Sequence, residues 1–228
     1  MKWQWYDSYY SLSAHAAQVL LQSIRDDPRV VLGLPTGRTP IGMYERVVNE
    51  CSCRDVVTFN LDEYVGISCE HPASYCTYMH RHLFDHIDID EVNVHIPDGT
   101  AADLDAECER YERAIADAGR LGVTFLGLGQ NGHIGFNEPG TPFTSRTRVV
   151  ELTHSTRLAN AALFEGGRVP ERAITIGIAT ILESRQIVLL ASGESKREAI
   201  ERLRSGEVSE EFPASALHRH ADVTVLVA

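Results

Sequence analysis

The chain has 228 residues, with 21 lysines and arginines against 32 aspartates and glutamates, for a formal net charge of −11. That length suits one α/β domain with a sizeable core, and a composition 43% hydrophobic and 23% charged is that of a soluble globular protein. The acidic balance argues against nucleic acid as a partner, because phosphate backbones recruit basic surfaces; it leaves room for a small anionic ligand, which a few cations and backbone N–H groups can hold.

The first seven residues lack the apolar stretch of a secretory signal, and no apolar run approaches membrane-spanning length. Residues 11–26 place Leu12, Ala16, Val19, Leu20 and Ile24 on one helical stripe. Residues 29–34 read as a buried strand, followed by a turn at 36–40 and a helix to about Asn49. A second strand is expected at 55–60, a helix at 74–86, a short strand at 92–96, a helix at 103–118 and a buried strand at 123–128. Residues 155–164 read as helical. Strands at 173–178, 186–191 and 222–227 follow, with a helix at 194–204 between the last two. Strands alternating with helices imply a single domain spanning 1–228: an α/β, Rossmann-like fold with a mainly parallel sheet and helices on both faces. In such folds ligands collect at the carboxyl ends of strands.

The five cysteines, Cys51, Cys53, Cys69, Cys76 and Cys108, include no C-x-x-C pair and read as reduced thiols in a cytoplasmic protein. His80, His82 and His86 lack the carboxylate or cysteine that would complete a metal set, so no metal is expected there.

Several segments at strand ends carry chemistry. Gly127-Leu-Gly-Gln-Asn-Gly-His-Ile-Gly-Phe-Asn-Glu-Pro139 brings Asn131, His133 and Glu138 into one glycine-rich turn. Imidazole is suited to moving protons near neutral pH, and a neighbouring amide and carboxylate can orient it and set its charge. Leu34-Pro-Thr-Gly-Arg-Thr-Pro-Ile-Gly42 lies between a strand and a helix, where free amides suit a phosphate. Thr36 and Thr39 add hydroxyls, and Arg38 adds a fork-shaped cation. Lys196 opens a helix, where the dipole disfavours a cation unless it pairs with an anion. Thr58-Phe-Asn-Leu-Asp-Glu-Tyr-Val-Gly66 ends a strand with Asp62 and Glu63, whose side chains should diverge so that one faces a site. A carboxylate there could take a proton next to a carbonyl or imine.

Together, LGLPTGRTPIGMY, VVTFNLDEYVGI, HPASYCTYM, GLGQNGHIGFNEPGTPFTSRTRVVEL and VPERAITIGIATILESRQIVLLASGESK make the chain, from about Val30 to its end, resemble the glucosamine-6-phosphate deaminase (isomerase) family. The resemblance implies conversion of glucosamine 6-phosphate and water to fructose 6-phosphate and ammonia, without metal or organic cofactor. It implies that Asp62 takes the C2 proton and returns it at C1, that His133 opens the pyranose, and that Glu138 holds and polarises His133. Asn131 stands where some members have aspartate. It would orient the imidazole but raise its pKa less than a charged partner. Thr36, Gly37, Arg38, Thr39 and Lys196 would hold the 6-phosphate.

Two departures from the family pattern concern the phosphate. Arg38 replaces the second glycine of the usual loop, and Ala162 occupies the position of an arginine that closes over the phosphate. Arg38 is expected to substitute for the missing guanidinium. Val150 and Glu151 replace residues of the regulated members' second sugar-phosphate site, of which Arg148 and Thr141 resemble part, and activation by N-acetylglucosamine 6-phosphate is not expected. The alternatives are action on galactosamine 6-phosphate, a 6-phosphogluconolactonase, or a sugar-phosphate-sensing domain; self-association is left open.

Overall fold

Val31, Phe59, Leu126 and Leu189 turn to one face of the central sheet, and Leu32, Phe125, Val188 and Leu190 to the other. Strands buried on both faces need no polar alternation, which is why these segments read as apolar runs. The computed structural model describes residues 1–48 and 50–228. The sheet orders β1 (Lys2–Trp5), β10 (Val223–Val227), β9 (Gln186–Ala191), β6 (Val123–Gly127), β2 (Val31–Leu34), β3 (Val57–Asn60) and β5 (Val94–His95), all in parallel. Helices α1 (Tyr9–Asp26), α2 (Ile41–Val47) and α3 (Tyr75–His82) cover one face, while α4 (Leu104–Asp117), α6 (Ile178–Leu182) and α7 (Arg197–Arg204) cover the other. The expected end of the second helix at Asn49 lies outside the described residues.

Local chemistry sets several boundaries. The Ser8 hydroxyl accepts from the Ser11 N–H at 3.2 Å to start α1, and Asp103 accepts from Asp105 and Ala106 to start α4. The Tyr111 hydroxyl on α4 donates to the carbonyls of Asn60 and His95, at 2.8 and 3.0 Å. It thereby ties α4 to the carboxyl ends of β3 and β5. Burying such a large side chain contributes roughly 1.5–3 kcal/mol.

A second sheet corrects the strand expected at 173–178. That strand, β8 (Arg172–Thr175), pairs antiparallel with β4 (Asp62–Tyr64) and β7 (Arg148–Glu151), outside the main sheet. Beneath it pack Tyr64, Phe136, Phe164 and Ala173. The expected helix at 155–164 is α5 (His154–Asn160), followed by two short 3₁₀ turns. The expectation of five free thiols also needs correction: Cys69 and Cys76 are bonded, with Cα atoms 5.1 Å apart, while Cys51, Cys53 and Cys108 are free. The fold of the loop before α3 brings the pair together, which their spacing alone does not specify.

Candidate active site

Strand order reverses between β2 and β6: the chain proceeds outward from β2 to β3 and β5 on one side, and from β6 to β9 and β10 on the other. The loops leaving such a switch point separate and open a crevice. A cavity of about 220 Å³ lies there, lined by Thr36, Gly37, Arg38, Thr39, Asp62 and His133, among others. A larger, more open cavity of about 650 Å³ beside α5 holds none of the residues marked by sequence.

The loop after β2 combines bonded carbonyls with amides that have no partner among the described residues. Its carbonyls are held from outside by tyrosine hydroxyls: Tyr44 to Pro35 at 2.5 Å, Tyr78 to Gly37 at 2.6 Å, and Tyr9 to Arg38 and Thr39 at 3.3 and 3.1 Å. The N–H groups of residues 36–39 donate to no protein acceptor among the described residues. Gly37 has φ of 95°, a left-handed conformation that glycine adopts without strain. Arg38 is exposed and makes no ion pair among the described residues. None of the three tyrosines stood out in the sequence, because the contacts run 9 to 41 residues along the chain.

In the loop after β6, Asn131 bridges the other two members of the relay. Its Nδ2 donates to Glu138 Oε2 at 2.7 Å, and its Oδ1 lies 2.7 Å from His133 Nδ1. The carboxylate can only accept, so it fixes the amide orientation, and the amide oxygen then requires a proton on Nδ1. In the neutral ring, Nε2 therefore carries the lone pair. Glu138 is 3.8 Å from His133 Nδ1, so it acts on the imidazole mainly through charge. Burial lowers the imidazole pKa; the Glu138 charge opposes this and the Lys196 charge adds to it. A Cβ at Gly129 would collide with the His133 ring, which explains the glycine there.

Glu138 is also grasped by α5. Thr156 Oγ1 donates to its Oε1, and Thr153 Oγ1 lies 3.4 Å from the same oxygen. Thr156 and Asn160 line the cavity, so α5 forms one of its walls.

Asp62 and Glu63 diverge as alternation on a strand requires. Asp62, 6% exposed, faces the cavity; burial and then the Glu63 charge push its pKa up to about 8. Gly135, with φ of 56°, has a backbone conformation that favours glycine, and a Cβ there would crowd Thr175 Oγ1 at 3.0 Å. Tyr75, from the start of α3, also lines the cavity and was not singled out by sequence. Lys196 precedes α7 after β9, half-buried, and burial lowers its pKa. It does not line the cavity directly, but its charge reaches His133.

Residues 7–226 match the family model described as glucosamine-6-phosphate isomerases/6-phosphogluconolactonase. The chain belongs to this family. Within it, the chain is 49% identical over 232 residues to a glucosamine-6-phosphate deaminase of Lysinibacillus sphaericus, covering 99% of this chain and 98% of that one. It is 49% identical over 226 residues to glucosamine-6-phosphate deaminase 1 of Bacillus subtilis, covering 96% and 92%. A solved structure of a monomeric glucosamine-6-phosphate deaminase superposes with a TM-score of 0.97 at 48% identity, covering 100% of this chain and 97% of that one. A 6-phosphogluconolactonase from Thermotoga maritima shares the fold, with a TM-score of 0.79 at 19% identity, covering 99% and 98%.

Proposed function

We infer that this member of the family is a glucosamine-6-phosphate deaminase, forming fructose 6-phosphate and ammonia from glucosamine 6-phosphate and water. The observation that carries the mechanism is the placement of Asp62, His133 and the free amides of residues 36–39 around one cavity. The phosphate sits on those amides, with Arg38 and the Thr36 and Thr39 hydroxyls beside it and Lys196 supplying charge. His133 Nε2 accepts the O1 proton and delivers one to O5, opening the ring. Burial keeps the imidazole neutral at pH 7 and so able to accept.

Asp62 then removes the C2 proton. The electron pair left behind forms the C1–C2 double bond of an enolamine while the C1 carbonyl pair moves to O1, which takes the proton lost by the substrate's ammonium group. The same carboxyl then returns its proton to C1 as the nitrogen lone pair makes the C2 imine. Water adds to the resulting C2 imine, and ammonia leaves. These steps are proton transfers and a hydrolysis, and they call for no metal or organic cofactor. A raised Asp62 pKa makes a stronger base, at the cost of requiring a higher pH to ionise it.

Asp62→Asn tests this reading. It should lower kcat by about 10²-fold or more, since general base catalysis contributes about that much. Retained turnover would remove Asp62 from the base role. A phosphorylated sugar does not cross a bilayer unaided, so we place the enzyme in the cytoplasm. No helix among the described residues is long and apolar enough to cross a membrane. In keeping with its 48%-identical monomeric relative, we take the chain to act alone.

A further inference from the structure

Glu63 has no place in the reaction as written, yet it is 3% exposed and fully engaged. It points away from the Asp62 cavity toward a second one of about 300 Å³, which Cys69, Cys76, His80, Glu91 and Asp98 also line. Its carboxylate accepts three backbone N–H groups: Tyr64 and Tyr75 to Oε1 at 2.8 and 3.0 Å, and Cys76 to Oε2 at 2.8 Å. The last two are the first amides of α3, which have no partner within the helix. Ser74 Oγ takes the Thr77 amide at 3.0 Å, so the start of α3 is held by Glu63 and Ser74 together.

This hold reaches the active site through Tyr75. Its ring packs 4.8 Å from Tyr64 and 5.9 Å from Phe136, measured between centroids, and its hydroxyl lies 3.2 Å from that of Tyr64. Tyr75 lines the cavity into which Asp62 projects. Glu63 thus fixes two walls of that cavity, one through the chain of β4 and one through α3.

We propose that Glu63 is a positioning residue for the proton transfer at Asp62: its buried carboxylate anchors α3 and Tyr75 against β4, and its negative charge strengthens the neighbouring base. Three N–H donors favour the ionised form of Glu63, although burial works against it and lifts its pKa to about 7. The groups that sense the Asp62 charge are Tyr64 on the same strand, Tyr75 on α3 and Tyr111 on α4. His133 faces the same cavity from the loop after β6. The three tyrosines are neutral when Asp62 titrates, so the charge of Glu63 acts on it from the adjacent residue.

The inference rests on Asp62 being the base, and the test separates the two. The full-length wild type, E63Q and E63D are assayed for fructose 6-phosphate formation from glucosamine 6-phosphate across pH. The acid limb of kcat/KM reports ionisation of Asp62 in the free enzyme. Removing a neighbouring negative charge eases that ionisation, so E63Q should move the limb about one pH unit lower. It should also lower kcat about tenfold, with KM changed far less.

E63D keeps the charge but shortens the reach to α3. It should leave the limb in place and still lower kcat. A purely structural role would reduce the yield of folded E63Q without moving its limb, and that result overturns the proposal. Should E63Q fail to fold, E63D decides on the anchoring of Tyr75: a fully folded E63D with reduced kcat and little change in KM supports the proposal, and wild-type kcat overturns it. Inactive Asp62→Asn beside an unaltered E63Q profile would remove Glu63 alone. Active Asp62→Asn would remove the base assignment itself.

Discussion

Asn131 determines which nitrogen of His133 carries the proton in the neutral ring. Because Glu138 can only accept, the amide must donate to it, which turns the amide oxygen to Nδ1 and leaves the lone pair on Nε2. The residue needs no charge to do this, and the imidazole stays neutral because burial outweighs Glu138. Arg38 acts at the same scale. It stands exposed at the rim of the cavity, without an ion-pair partner among the described residues, and is therefore available to a phosphate. Arg38→Ala should raise KM for glucosamine 6-phosphate about tenfold, as expected for one charge-assisted hydrogen bond, and leave kcat nearly unchanged. An unchanged KM in steady-state assays would assign the phosphate to the loop amides, hydroxyls and Lys196.

Among the elements, α5 is the one most closely coupled to the relay. Its cap residue Thr153 and its buried Thr156 both approach Glu138, which carries the Asn131 bridge to His133. Thr156→Val keeps the shape of the side chain but removes a donor to a carboxylate, a loss of about 1–2 kcal/mol. We expect kcat/KM to fall about five- to thirtyfold as Glu138 loosens. An unchanged kcat/KM would mean that Glu138 is held well enough by Asn131. The glycine-rich loop after β6 is constrained in a different way. Gly129 and Gly132 lie against the His133 and Phe212 rings, so their lack of a side chain is a packing requirement as well as a conformational one.

For the whole molecule, a buried carboxyl beside another carboxyl opposes folding. Asp62 titrates near pH 8 in the native state, against a reference value of 3.8. Between those values the native state holds a proton that the unfolded chain has released, so stability falls as pH rises through the window. Asparagine has no charge to desolvate. Asp62→Asn should therefore melt above the wild type at pH 8–9, by about 2–4 °C for each kcal/mol recovered, with the gap narrowing toward pH 5. Thermal melts across pH check this, and equal melting temperatures at pH 9 would show that Asp62 ionises without penalty.

The sequence by itself determined the family, the parallel α/β plan and the segments at its strand ends. Their signals are local: apolar runs, glycine turns, and the order of GLPTGRTP, FNLDEY and GHIGFNEP along the chain. It also anticipated that the Asp62 and Glu63 side chains diverge, because alternation along an extended chain depends only on the backbone. Tertiary structure decided the rest. The short strands β4 and β7 escaped notice because DEY and RVVE carry charges that resemble loops until packing buries or pairs them. The tyrosines that hold the loop after β2, the grip of Glu63 on α3, and the latch from Thr156 to Glu138 join residues 9 to 41 positions apart. No periodicity encodes such contacts; they exist only once the sheets and helices have met.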